Sequence, residues 1–336
     1  MQLVLNTYGS YLRVKDGNFL VKAKERKMEL SPRKVSSILV TTGVSLTSDV
    51  IKLAMTWNID LVFLDEFGTP YGRVWHCRLG STTRIRRRQL EVAETMEGVH
   101  LVLEWVKRKF ENQIEHLAEL RKRRTRKSRE LTGGINQLMS LQGSLAEIKG
   151  GNLEAVRSRV LGVEGNGSRV YFSTLSEALP ERYQFNGRSR NPAKDFFNCL
   201  LNYGYGVLYS LVEHGCILAG LDPYTGLLHT DNYNKKSMVF DMIEPYRVWA
   251  DRVVMVLLAG RKVKEAHFDE IKGGYTLNKE GKALLLTRFN EYLDEAIRYR
   301  GRNIKRRHII QFDCHRLANI LIKKGGIDKV PELVEL

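Results

Sequence analysis

Apolar and polar residues alternate over short stretches at the start of the chain, and this pattern predicts strands. Leu3-Val-Leu5, Tyr11-Leu-Arg-Val14 and Phe19-Leu-Val-Lys-Ala23 are separated by Gly9-Ser10 and Asp16-Gly17-Asn18, residue types that favour turns. Ser37-Ser-Ile-Leu-Val-Thr41 predicts a further strand. The period then changes. Ser45-Leu-Thr-Ser48 can cap a helix running to about Trp57, with Val50, Ile51, Ala54 and Met55 at helical spacing. Asp60-Leu-Val-Phe-Leu64 and Tyr71-Gly-Arg-Val-Trp75 return to the strand pattern, joined by a turn at Phe67-Gly-Thr-Pro70. From about residue 84 onward the spacing is helical: one or two long helices over 88–130, then 154–160, 167–179, 192–218, 237–258, 280–300 and a short piece at 315–324. Gly133-Gly134 and Gly150-Gly151 are read as breaks. Strands followed by helices predict an α+β chain, with a β-rich N-terminal domain over 1–83 and a larger all-α domain over 84–336.

Charge changes this picture. The 336 residues include 54 Lys and Arg against 38 Asp and Glu, a formal net charge of +16, which favours a polyanionic partner. The excess gathers in three runs: Arg84-Ile-Arg-Arg-Arg88, Arg121-Lys-Arg-Arg-Thr-Arg-Lys127, and Arg298-Tyr-Arg-Gly-Arg302 with Lys305-Arg-Arg307. Each reads as a solvated face or as a set of phosphate contacts. Cys77, Cys199, Cys216 and Cys314 form no Cys-x-x-Cys pair, and Cys314-His315 alone is too little for a zinc site. The apolar run Val253–Ala259 is too short to span a bilayer and no signal sequence opens the chain, so a cytoplasmic protein with free thiols is expected.

Candidate chemistry lies in the second half. Glu164 sits among Gly162, Gly165 and Gly167, just before Arg169. A helix starting near Gly167 would turn its free N–H groups and Arg169 toward a phosphate; equally, Glu164 suits a helix start through the dipole. His229 follows the turn-rich loop Gly220-Leu-Asp-Pro-Tyr-Thr-Gly226. Asp241 and Glu244 are three residues apart in an apolar segment, so on a helix they share a face, where a cation would relieve their repulsion. A kink at Pro245 and an ion pair with Arg247 explain the same acids without a metal. Arg188, Arg190 and Lys194 precede an apolar helix opened by Pro192; Phe196, Phe197 and Tyr203 on it read as core, whereas Asn202 and Tyr205 can reach a site.

Three ordered blocks then carry a resemblance. Gly162-Val-Glu-Gly-Asn-Gly-Ser-Arg-Val-Tyr-Phe172, Asn191-Pro-Ala-Lys-Asp195 with Asn202-Tyr-Gly-Tyr205, and Gly220-Leu-Asp-Pro through His229 to Asp241-Met-Ile-Glu-Pro-Tyr-Arg247 resemble the CRISPR-associated Cas1 proteins, the integrases and endonucleases of spacer acquisition. The resemblance is dense from about 160 to 251. It implies a β-rich domain that builds a homodimer and a helical catalytic domain. It implies Mg2+ or Mn2+ held by Glu164, His229 and Glu244, with Asp241 as a further catalytic acid beside them. Other members carry aspartate at the position of Glu244, small alanines at those of Gly167 and Ser168, and often proline at that of Phe196. The implied reaction is attack of a DNA 3′-hydroxyl on a repeat phosphodiester, with water in its place giving nuclease activity. The implied partners are spacer and repeat duplexes and the small protein Cas2. Arg84, Arg86, Arg169, Arg188, Arg190 and Arg247 are the candidate DNA contacts, with Arg169 or Arg247 placed to stabilise transition-state charge. A structure-selective nuclease acting on branched DNA, and a DNA-binding scaffold without catalysis, are the competing readings.

Overall fold

A computed structural model describes residues 2–24, 26–35, 37–65, 70–74, 82–229 and 235–322. The chain divides into two compact units, one within 1–79 and one within 80–327.

The first unit holds two four-stranded sheets. Strands β1 (Gln2–Leu5), β2 (Ser10–Lys15), β3 (Asn18–Ala23), β4 (Arg26–Leu30), β5 (Ser37–Val40) and β6 (Val44–Leu46) precede helix α1 (Ser48–Thr56), which is followed by β7 (Asp60–Leu64) and β8 (Pro70–Val74). One sheet has the order β1-β5-β7-β8, with β8 antiparallel to β7 and the rest parallel; the other has the order β4-β3-β2-β6. The β2–β3 hairpin closes on Asp16-Gly17, both at positive φ, the backbone that a two-residue turn between right-twisted strands requires. β5 is buried at every residue, whereas β4 presents Arg26, Lys27, Met28 and Glu29 to solvent at a sheet edge, where charge discourages further strand pairing. Leu3, Leu12, Phe19, Ile38, Val50 and Leu61 form the core. β4 and β6 were not foreseen, α1 takes Thr47 as its N-cap, and the expected turn at 67–69, Trp75 and Cys77 lie outside the described residues.

The second unit is helical. It comprises α2 (Thr82–Val92), α3 (Met96–Arg123), α4 (Ser128–Ser144), α5 (Leu153–Ala178), α6 (Phe196–Leu218), α7 (Ser237–Ile243), α8 (Arg247–Ala259), the strands β9 (Phe268–Ile271) and β10 (Gly274–Leu277), α9 (Lys279–Asp294), the strands β11 (Ala296–Tyr299) and β12 (Arg302–Lys305), and α10 (Arg306–Leu321). α6 is buried on most of its faces and packs against α7, α8, α9 and α10, the place expected for a helix apolar nearly all round. Side-chain N-caps are what the sequence supplies: Thr95, Asn152, Asp195 and Asn278 accept from Gly98, Ala155, Asn198 and Gly281 N–H. Pro192 therefore lies before α6 rather than in its first turn. The helical unit carries two antiparallel hairpins, which corrects the all-α reading of 84–336; the second overlaps the helix expected over 280–300 and holds most of the third basic run, turning on Arg300-Gly301 at positive φ.

Of the two glycine pairs read as breaks, one holds and one does not. Gly133-Gly134 lies inside α4, whereas Gly150-Gly151 does separate α4 from α5. α5 runs unbroken through Gly162, Gly165 and Gly167, so no helix begins at Gly167 and no free N–H cluster faces a phosphate there. A β-carbon on Gly167 would collide with the Phe110 ring of α3, so the glycine lets the two helices approach. The expected helix at 315–324 begins earlier, at Arg306. Cys199, Cys216 and Cys314 are buried free thiols, and Cys314 faces Cys216 at 3.9 Å across the α6–α10 contact. No helix among the described residues is long and apolar enough to cross a membrane.

Candidate active site

Three helical segments far apart in sequence meet at one buried cation. Glu164 comes from α5, Glu244 opens the single 3₁₀ turn between α7 and α8, and Lys109 lies on the apolar stripe of α3. The Lys109 ammonium donates to the Glu164 carboxylate and, at 2.6 Å, to Glu244 Oε2. Ser168, one turn along α5, donates to the same Glu164 oxygen at 2.9 Å. The other oxygen of Glu244 accepts from Arg247 Nε at 2.8 Å, and Arg247 also donates to the Tyr209 hydroxyl at 2.8 Å. Asn112, one turn beyond Lys109, donates to the Pro245 carbonyl at 2.6 Å and ties the 3₁₀ turn to α3. Burial alone would raise the Glu244 carboxyl; Arg247 and Lys109 outweigh it and hold its pKa at about 2. Burial likewise opposes the Lys109 charge, and Glu244 and Glu164 more than offset it, so its pKa is raised.

His229 is held from a different side. Asp241, fully buried on α7, accepts backbone N–H groups of Leu227, Leu228 and His229 at 2.6, 3.0 and 3.0 Å, and the His229 Nδ1 at 2.6 Å. A carboxylate only accepts, so Nδ1 is the donor of this pair, and in the neutral imidazole the lone pair then lies on Nε2. Gln89 of α2 grips the Asp222–Thr225 loop through its amide, and Arg157 of α5 donates to the carbonyls of Leu228 and Leu227 at 3.2 and 3.3 Å. The His229 ring lies 5.9 Å from that of Phe240, which meets Tyr209 at 5.1 Å, so a chain of contacts runs from His229 to Arg247 and Glu244.

The structure thus brings Glu164 and Glu244 together and gives Asp241 the task of fixing His229. Asp241 and Glu244 do not share a cation; each has its own partners, and the Arg247 ion pair expected as the competing explanation is present. Among the described residues no three His, Cys, Asp or Glu side chains are gathered closely enough to hold a metal ion. The donor set still suits one. Two carboxylates already converge on a single cation, and His229 presents an imidazole nitrogen with its other nitrogen anchored, the arrangement usual for a ligating histidine.

The arginines divide. Arg84, Arg169 and Arg190 are exposed. Arg86 pairs with Asp222 at 3.7 Å. Arg188 is half-buried, donates to Asn198 and, at 2.8 Å, to Asn202, and lies over the Phe172 and Tyr205 rings. Asn202 is therefore occupied by Arg188, while Tyr205 donates to Asp251 at 2.8 Å. Asp251 also accepts from Tyr171 at 3.0 Å, and Tyr171 bonds His116 at 2.7 Å. Phe197 and Tyr203 are core; Phe196 is half-buried and stacks on Phe268 at 4.2 Å. Lys109 and Asn112 escaped the sequence reading because Lys107-Arg108-Lys109 looks like a solvated basic face. The signal was spacing: Lys109, Gln113 and His116 continue the buried stripe of Val102 and Val106.

Residues 3–291 match the family described as CRISPR associated protein Cas1. The chain belongs to the Cas1 family. CRISPR-associated endonuclease Cas1 1 of Archaeoglobus fulgidus is 34% identical over 92% of this chain and 93% of its own length. The fold is that of solved Cas1 structures: a Cas1 protein from Thermotoga maritima superposes with a TM-score of 0.78 at 24% identity, covering 96% of this chain and 98% of that one. A casposase bound to an integration product superposes with a TM-score of 0.79 at 20% identity, covering 98% of this chain and 96% of the other. The β-rich unit followed by a mostly helical unit is the architecture that the Cas1 resemblance implied.

Proposed function

We propose that this Cas1 protein joins and cuts DNA strands at a divalent metal held by Glu164, Glu244 and His229. The observation that carries the proposal is the convergence of Glu164 and Glu244, eighty residues apart, on one buried cation, linked through Arg247, Tyr209 and Phe240 to a histidine whose Nδ1 is fixed. Mg2+ or Mn2+ bound there would supply Lewis-acid charge to a phosphodiester and lower the pKa of an attacking hydroxyl. Manganese suits the imidazole ligand better and magnesium the carboxylates.

The protein's own residues do the rest. Asp241 keeps His229 in the tautomer with a free Nε2. Arg247 stays paired with Glu244, which orients that carboxylate and leaves the guanidinium plane against Tyr205 and Tyr209. Exposed Arg84, Arg169 and Arg190 offer phosphate contacts that position a duplex without reading its sequence. Arg188, fixed by Asn198 and Asn202, supports α6 instead. Gly162 and Gly165 leave the surface beside Glu164 open, since a β-carbon on either would meet nothing within 4 Å. The nucleophile is a DNA 3′-hydroxyl for integration, or water for cleavage. Spacer and repeat duplexes are the substrates, and a homodimer acting with Cas2 in the cytoplasm is the assembly in which the reaction runs.

Strand joining on a repeat-bearing plasmid, with Mg2+ or Mn2+ and Cas2, tests this. Glu164→Ala is expected to abolish joining while duplex binding persists. Full joining by that variant overturns the assignment. Cleavage of a branched duplex without joining would favour the repair nuclease.

A further inference from the structure

Lys109 stands where the proposed metal would have to act. Its side chain is 6% exposed, on the buried helix stripe that also carries Val102, Val106, Gln113 and His116. Its anionic partners are the two proposed metal-binding carboxylates, Glu164 and Glu244. With Arg247 also on Glu244, the cluster holds two negative and two positive side chains and is neutral. A dication added to a neutral buried cluster would leave two positive charges uncompensated, which is strongly unfavourable. Withdrawal of Lys109 leaves Glu164, Glu244 and Arg247 with one net negative charge, a set that accepts a dication. Yet the ammonium cannot be left buried without an anion, because an unpaired buried charge is strongly unfavourable. It needs a replacement, and the substrate that Cas1 chemistry requires is itself a phosphodiester.

We propose that Lys109 couples metal uptake to DNA binding: it occupies Glu164 and Glu244 while DNA is absent, and yields them to the metal when a DNA phosphate takes over its ammonium. Lysine suits the exchange, being a compact charge on a flexible stem, whereas the Arg247 guanidinium is fixed by Tyr209 and two aromatic faces. By linkage, DNA tightens metal binding and metal tightens DNA binding by the same factor. This proposal rests on the metal site proposed above. It adds that the metal-free, DNA-free protein is held in a state of low metal affinity by one named residue.

The test is a Mn2+ titration followed by electron paramagnetic resonance of the free ion, on the full-length protein, with and without a duplex ending in 3′-deoxy nucleotides that cannot join. Wild type is expected to bind Mn2+ at least about tenfold more tightly with the duplex than without it, a modest coupling on the scale of such effects. Lys109→Gln is expected to bind Mn2+ about tenfold more tightly than wild type without DNA, and to gain less than about threefold from the duplex. Lys109→Arg keeps the charge and is expected to bind Mn2+ without DNA no more tightly than wild type. A Lys109→Gln protein with wild-type affinity in the absence of DNA, or with the full DNA-induced gain, overturns the coupling role. Should Lys109→Gln fail to fold, as circular dichroism would reveal, a wild-type gain below about threefold overturns it on its own. Absence of Mn2+ binding by wild type with and without duplex instead overturns the metal site, a separate failure.

Discussion

Replacing Asp251 by asparagine should change how stability responds to pH. Asp251 is buried on α8 and accepts from Tyr171 and Tyr205. Burial raises its carboxyl to about 6; the two hydroxyls and the nearby charges of Arg188 and Arg247 pull it back only in part. The unfolded chain has the ordinary value of 3.8, so between about 4 and 6 the folded protein binds more protons than the unfolded chain. Stability from this group is therefore fully present below 3.8 and is lost as pH rises through about 6. The gap corresponds to at most about 3 kcal/mol. Asparagine has nearly the same shape, keeps an acceptor for one tyrosine, and does not titrate. Urea unfolding of both proteins at pH 4, 5, 6 and 7 isolates the effect, because other groups cancel in the difference. Wild-type stability minus that of Asp251→Asn is expected to fall across this range by up to about 3 kcal/mol and to flatten above pH 7. A difference that is constant, or that grows with pH, would refute the reasoning.

Glu244 should behave in the opposite sense. Its carboxyl is held at about 2 against an ordinary 4.5, so its stabilisation is present above 4.5 and is lost as pH falls toward 2. Glu244→Gln is expected to lose about 3 kcal/mol at pH 7 in urea unfolding, and less as the solution is acidified. Asp241→Asn places an amide donor among three backbone N–H groups and should cost at least about 2 kcal/mol, with strand joining reduced about tenfold to a hundredfold through a misplaced His229; unchanged joining would contradict the role given to Asp241. Gly165→Ala is expected to raise stability by about 0.5–1 kcal/mol, since the new methyl group meets open space in mid-helix, whereas Gly167→Leu should destabilise by more than about 1 kcal/mol against Phe110. Thermal melts of the two variants check this pair.

Much of the fold was legible where local and tertiary preferences agree. β1, β2, β3, β5 and β7 follow directly from alternation and turn residues, α1 from helical spacing after a capping segment, and α6 from its apolar length. The glycine-flanked Glu164 was misread because propensity argues for a break, while the contact of Gly167 with Phe110 fixes a continuous helix that local sequence cannot reveal. The basic run at 298–307 lies only partly in the helix expected over 280–300, and its Arg300-Gly301 turn marks the hairpin that forms there instead. Within the site, the residue types were legible and their partners were not. Nothing around Asp241 in sequence announces that it reaches back to three consecutive N–H groups, and Lys109 was hidden by its basic neighbours although its spacing places it on the buried stripe.

The metal site is tested most directly by anomalous diffraction from crystals of the protein grown with Mn2+ and a duplex that cannot join. A manganese peak is expected in contact with carboxylate oxygens of Glu164 and Glu244 and with Nε2 of His229, and with Lys109 withdrawn from both acids. Manganese bound elsewhere, with Lys109 still bridging Glu164 and Glu244, would contradict the assignment.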